Sequence, residues 1–195
     1  MKSWFARMIA GNIVGGAIGL HLVFIMPACC FAAPDALSAQ VGGRVIDFEG
    51  TDVHGRSWRP SSTAGRTIAM FFFCGCDACH RLARQWAALD RSGVIDAAAK
   101  APAKLPLTVA VFAGDAEAAK LFASQTRLPA NVLIIADADL HATDLYQAGT
   151  CPRVFVSGRD GVIRYTNNSA DDAPQGHHEQ RIAFKALQAL RDADH

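Results

Sequence analysis

Charge is scarce in this chain. Asp, Glu, Lys and Arg make up 19% of the 195 residues, and 19 basic residues nearly balance 18 acidic ones for a net charge of +1. No basic block or acidic tail is present, which argues against a nucleic-acid partner. The 51% of hydrophobic residues excludes an intrinsically disordered chain and favours a well-filled core. The length suits about one domain, with no internal repeat and no sign of a second domain. Six cysteines are too few for a disulfide-scaffold miniprotein. Their placement is uneven: Cys29 and Cys30, then Cys74, Cys76 and Cys79, then Cys151 alone. Crowding of that kind points to chemistry rather than structural stapling.

The first thirty residues read as an address. Lys2 and Arg7 precede an uncharged stretch from Met8 to Met26, broken only by Asn12 and His21, and small residues follow at Ala28 to Ala33. A positive start, an apolar middle and small residues after it are the parts of a secretory signal, with cleavage expected after Ala32. Residues 8–26 are also just long enough to span a bilayer, and Gly11, Gly15 and Gly19 suit a transmembrane helix pair. The expectation is therefore a signal peptide or membrane anchor over 1–33 and an exported domain over 34–195. That domain faces a periplasmic or other extracytoplasmic compartment, and the membrane is met only through the N-terminal segment. Losing Lys2 and Arg7 with the leader turns the net charge of +1 into −1.

Within the exported part, Val45 to Phe48 reads as a short strand, with Arg56-Ser57-Trp58 as the second arm of a hairpin. Thr67 to Phe73 is a continuous apolar run suited to a strand buried on both faces. From Cys76 the period changes: Cys79, Leu82, Ala83, Trp86 and Leu89 form the apolar stripe of a helix. Pro106 to Ala113 predicts a second buried strand, and Asp115 the N-cap of a helix running to about Gln125. Asn131 to Ala136 predicts a strand and Ala138 to Gln147 a short helix. Strands at Arg153–Val156 and Val162–Tyr165 flank a hairpin turn. A polar loop from Asn167 leads into a closing helix over His178–Ala193. This order predicts an α/β fold, a mixed sheet with helices on both faces.

Cys76 and Cys79 form a C-x-x-C where a buried strand ends and a helix begins. Unpaired N–H groups and the helix dipole put positive potential at Cys76, which favours a thiolate. Cys79 lies one turn later on the same face, close enough to close a disulfide. A strand, a CxxC and a helix in a βα pattern form a redox signal. The alternatives are a permanent disulfide, buried thiols, or zinc, which needs two further ligands that no second CxxC supplies.

The stretch DFEGTDVHGRSWRPSSTAGRTIAMFFFCGCDACHRLARQWAAL resembles the start of a TlpA/ResA-type thioredoxin-like domain, and ATDLYQAGTCPRVFVSGRDGVIRY resembles its other half. The resemblance covers roughly residues 44–166. It implies a thioredoxin-like fold, with Cys76 as the attacking thiol, Cys79 as the resolving thiol and Pro152 as a cis-proline beside them. The backbone before that proline, at Thr150 and Cys151, would pair with the extended chain of a protein thiol or disulfide substrate. No cofactor beyond the redox-active disulfide is implied. The family mostly acts as reductants recharged by a membrane electron donor.

Several positions depart from the family pattern. Gly75 replaces the usual Trp before the first cysteine. Met70 stands where thioredoxins carry a buried acid, so no strand carboxylate helps deprotonate Cys79. Asp77 and Ala78 fill the motif, and the Asp77 charge should oppose a Cys76 thiolate. His80, and Arg153 where Thr usually follows the proline, are expected to offset it. Cys74 and Cys151 should lie against Cys76, so that four sulfurs and His80 share a small volume. Three readings of that cluster stand: an accessory redox pair, a soft-metal site for Cu(I) or an iron–sulfur centre, and simple packing. The rival functions are accordingly a thioredoxin-like copper carrier and a peroxidase. The peroxidase needs Thr or Ser three residues before its cysteine, where Cys76 has Phe73.

Overall fold

The computed structural model describes residues 39–95, 106–167 and 178–193. The N-terminal address and the loop at 168–177 lie outside the described residues. The chain divides after Pro34 into two units, and every described residue belongs to the second. Among the described residues no helix is long and apolar enough to cross a membrane.

Among the described residues seven strands form one mixed sheet: β1 (Gly50–Asp52), β2 (Ser57–Trp58), β3 (Ile68–Phe73), β4 (Leu107–Phe112), β5 (Leu133–Ala136), β6 (Arg153–Ser157) and β7 (Ile163–Thr166). Their order across the sheet is β2-β1-β5-β4-β3-β6-β7. β3, β4 and β5 are parallel, while β6 pairs antiparallel with β3 and β1 antiparallel with β5. The central position of β3 follows from its sequence, since all six residues are buried and both faces of the strand are apolar.

The two faces of β3 feed two cores. Ala69, Phe71 and Phe73 face helices α1 (Asp77–Arg91), α2 (Ala116–Thr126) and α4 (His178–Asp192). Ile68, Met70 and Phe72 face the short α3 (His141–Leu145) and the segment from Ala39 to Phe48. The expected stripe on α1 is buried at Cys79, Leu82, Ala83 and Trp86. Asp115 caps α2 as expected, its carboxylate accepting from the Ala118 N–H at 2.8 Å.

The expected strand at Val45–Phe48 is not formed; Arg44 makes an isolated antiparallel bridge with Val162, and the first strand starts at Gly50. The alternation that suggested it is real, because Ile46 and Phe48 are buried. Their backbone groups, however, go elsewhere. The Val45 N–H donates to the Gly161 carbonyl at 2.9 Å, and the Tyr146 hydroxyl donates to the Ile46 carbonyl at 2.7 Å. With those groups satisfied, the segment lies across the core as a packed coil. The hairpin that follows is turned by Asp52. Its carboxylate accepts the N–H groups of His54 and Arg56 and the Arg56 guanidinium, while Gly55 takes the left-handed conformation at φ 82°.

A second buried carboxylate sets the approach to the C-terminal half. Asp137, at the end of β5, accepts the N–H of Ala142 at 3.0 Å and both the N–H (2.9 Å) and hydroxyl (2.6 Å) of Thr143. It thereby holds the first turn of α3, which a five-residue helix cannot secure by its own hydrogen bonds. Asp137→Ala orphans these donors and is expected to cost about 1–3 kcal/mol of unfolding free energy in urea titrations. An unchanged midpoint and slope would contradict this role.

Candidate active site

The β3–β6 register assembles the site. Phe71 pairs with Val154 and Phe72 with Arg153. Continuing that antiparallel register past the last pair brings Cys74 opposite Cys151, with Pro152 between Cys151 and the strand. Cys74 and Cys151 form a disulfide, and the Cys151–Pro152 peptide bond is cis. On the other side of Cys74, β3 gives way to α1, whose N-cap is Cys76 with extended backbone at φ −79°, ψ 160°. The end of one strand, the start of one helix and one proline loop thus converge on four sulfurs.

Those four sulfurs all lie within 4.8 Å of one another. Cys76 and Cys79 are free thiols, with Sγ atoms 3.3 Å apart. They differ in environment. Cys76 is partly exposed, whereas Cys79 is buried. Burial pushes the Cys79 thiol up from its ordinary 9.0 to about 12, although the Cys74 N–H, 3.3 Å from its sulfur, works in the opposite direction. Besides burial, the groups acting on this thiol are the Cys74 backbone and the backbone and sulfur of Cys76, with no carboxylate among them. Met70 faces the other core, so Cys79 and the position of the expected acid lie on opposite faces of the sheet.

Gly75 is exposed, and a Cβ built on it would meet no heavy atom within 4 Å. The sulfurs are therefore not roofed at the position where the family carries Trp. Asp77 is exposed in the first turn of α1, where a negative charge suits the helix dipole. Ala78 is partly buried and Thr150 is exposed.

Two expectations are corrected. His80 does not join the sulfur group. Its ring packs 4.9 Å from that of Phe122, and its Nδ1 is buried without a hydrogen-bond partner among the described residues. It follows Cys76 by four residues, but its ring is taken up by the contact with Phe122 rather than by the sulfur cluster. Arg153 does not turn toward Cys76 either. Strand alternation puts Arg153 on the face of Phe155, with the guanidinium carbon 5.8 Å from that ring, while Val154 takes the face of Cys79. Burial lowers the Arg153 pKa. Arg81 grips Glu179 of α4 at 2.8 Å, and that pairing raises its pKa, with smaller contributions from Asp77 and Cys76.

Asn167 is a residue that sequence reasoning missed. Buried beside the proline loop, its Oδ1 accepts the Val154 N–H at 2.7 Å and its Nδ2 donates to the Pro152 carbonyl at 2.9 Å. It ties the loop to the start of β6. In sequence it is one polar residue at the edge of a polar stretch, with nothing local to single it out. The Arg81–Glu179 pair was equally hidden, because its partners are 98 residues apart.

No protein-family model matches the sequence, and no curated protein matches it. Solved structures do. A secreted disulfide oxidoreductase of Mycobacterium tuberculosis, described as homologous to E. coli DsbE, is similar at a TM-score of 0.56 and 17% identity, over 72% of this chain and 95% of its own. A Chlorobium tepidum protein assigned as the thiol:disulfide interchange protein DsbE gives 0.57 at 19% identity, over 77% and 98%. The fold is thioredoxin-like. Peroxidoxin BcpB of M. tuberculosis shares it, at 0.62 and 19% identity over 78% of this chain and 97% of its own. A thioredoxin-like fold thus hosts more than one chemistry, and activity has to be read from the site. Phe73, where a peroxidase needs a hydroxyl, is buried, stacked on Phe71 and packed at a tilt against Phe122. With Cys74 and Cys151 bonded to each other, the cluster offers a soft metal two thiols rather than four.

Two outcomes follow from this geometry. Asn167→Ala leaves the Val154 N–H and Pro152 carbonyl unpaired and is expected to cost about 1–3 kcal/mol in denaturant unfolding; a change below about 0.5 kcal/mol would contradict the clamp. The raised Cys79 pKa means that its neutral thiol contributes stability below pH 9 that is lost as the pH climbs from 9 toward about 12. In a Cys76→Ser chain, Cys79 alkylation should accelerate about tenfold per pH unit without levelling off below pH 10. A plateau near neutrality would show that burial does not govern this thiol.

Proposed function

We propose that the protein is an exported thiol–disulfide oxidoreductase that reduces protein disulfides, with residues 1–33 as its leader or anchor and 34–195 as its catalytic domain. The observation that carries this reading is the pair of free thiols Cys76 and Cys79, 3.3 Å apart at a helix N-terminus beside cis-Pro152. The similarity in fold to a secreted disulfide oxidoreductase adds support to both the activity and the exported setting.

In this mechanism the Cys76 thiolate attacks one sulfur of a substrate disulfide. A mixed disulfide forms, and the other substrate sulfur leaves as a thiolate. Cys79 then attacks Cys76, the Cys76–Cys79 disulfide closes, and the second substrate thiolate is released. Two electrons pass to the substrate, and the protons of Cys76 and Cys79 end on its two thiols. The partly exposed thiol makes first contact, and the buried one waits for the mixed disulfide. The uncovered surface at Gly75 and the backbone of Thr150 and Cys151 accommodate the substrate chain in extended form. A dithiol donor on the membrane side returns the electrons.

The full-length chain should catalyse insulin disulfide reduction by dithiothreitol. Cys76→Ser should fall to the buffer rate, and Cys79→Ser should accumulate an acid-stable mixed disulfide with insulin through Cys76. Full activity in Cys76→Ser would refute the assignment of the attacking thiol. Rapid consumption of hydrogen peroxide would favour the peroxidase reading instead.

A further inference from the structure

Cys74 and Cys151 remain unexplained by that mechanism, yet their sulfurs stand in the same 4.8 Å cluster as its working thiols. Their bond lies at Cys151, immediately before Pro152, on the strip of backbone assigned above to an incoming substrate. The internal disulfide thus occupies the place of an external one. We propose that Cys74 and Cys151 are a reserve dithiol that re-arms Cys76 and Cys79 from within. The proposal rests on the reading of Cys76 as the attacking thiol.

The exchange balances without an outside reagent. After one turnover of a fully reduced chain, Cys76 and Cys79 are joined and Cys74 and Cys151 are thiols. The Cys151 thiolate attacks Cys76; the Cys76–Cys151 bond forms and Cys79 leaves as a thiolate. Cys74 then attacks Cys151; the Cys74–Cys151 bond forms and Cys76 leaves as a thiolate. The protons of Cys151 and Cys74 end on Cys79 and Cys76. No net electrons enter or leave the chain. The structure is the product of this exchange: a closed Cys74–Cys151 disulfide beside an open Cys76 and Cys79.

Two features favour that direction. Cys79 is buried, so its neutral thiol is the stable form once it has been released. In the closed state the Cys74 sulfur lies 3.9 Å from the Cys79 sulfur, and before its own bond closes Cys74 is a thiol, a proton source for the leaving Cys79 on a strand that carries no carboxylate. The consequence is capacity: a fully reduced chain delivers four electrons to two substrate disulfides before it needs its donor.

The test maps disulfides in the full-length chain. The fully reduced protein is mixed with one molar equivalent of oxidised glutathione, acid-quenched, alkylated and digested. The wild type should carry mainly the Cys74–Cys151 disulfide, with Cys76 and Cys79 alkylated. In Cys76→Ser that disulfide should form at least tenfold more slowly. Retention of the disulfide at Cys76–Cys79 in the wild type, or an undiminished rate in Cys76→Ser, would overturn the proposal. Separately, reduced Cys74→Ser, in which the second step is blocked, is treated in the same way with one equivalent of oxidised glutathione. A peptide linked through Cys76 and Cys151 is expected, and its absence would overturn internal exchange. Internal exchange without insulin reduction would sink the proposed function alone, and the converse would sink only the reserve.

Discussion

In an antiparallel ladder, two residues a long way apart in sequence are locked opposite each other once a few pairs of the register are set. The pairing of β3 with β6 imposes that constraint here, and the site depends on it. The same register that buries Phe71 against Val154 carries Cys74 to Cys151 and delivers Pro152 to the mouth of α1. The apolar content of β3 is what holds the register. A slip of one residue would turn Phe71 and Phe73 out of the core with α1, α2 and α4 and into the opposite one. Core packing and sulfur geometry are therefore one constraint rather than two.

Burial then sets the two thiols apart. Cys76, at the N-cap of α1, is partly exposed, and Cys79, one turn further in, is buried and held neutral. Under the proposed mechanism the first would meet substrate and the second would wait for the mixed disulfide. No strand carboxylate acts on Cys79; the Cys74 N–H and sulfur face it instead, and burial still holds the thiol well above its ordinary pKa. Around this centre, Asn167 fixes the proline loop, and Arg81 fixes the start of α1 to α4 through Glu179. The first holds backbone at the proline loop, and the second ties two helices through their side chains.

Much of this was legible in the chain. Thr67 to Phe73 announced a strand buried on both faces, the period from Cys79 to Leu89 announced the helix after it, and Asp115 announced a cap. These are local signals, written within one or two turns of chain. What escaped was non-local. Val45 to Phe48 has the alternation of a strand, but its backbone partners come from Tyr146 and Gly161, about a hundred residues away. The proximity of Cys74 and Cys151 followed from the resemblance, but their bonding to each other was one of three open readings. The directions of His80 and Arg153 were misjudged because closeness in sequence to the motif does not decide which face a side chain takes. Asn167 carried no local signature at all.

The account stands on Cys76 and Cys79 forming a reversible two-electron couple. The most direct measurement equilibrates the full-length chain across a series of thiol/disulfide buffers and quantifies the Cys76–Cys79-linked peptide after alkylation. The account predicts that this disulfide closes and reopens reversibly with a reducing midpoint near that of thioredoxin, about −270 mV. If no Cys76–Cys79 disulfide formed at any potential, the account would be contradicted at its centre.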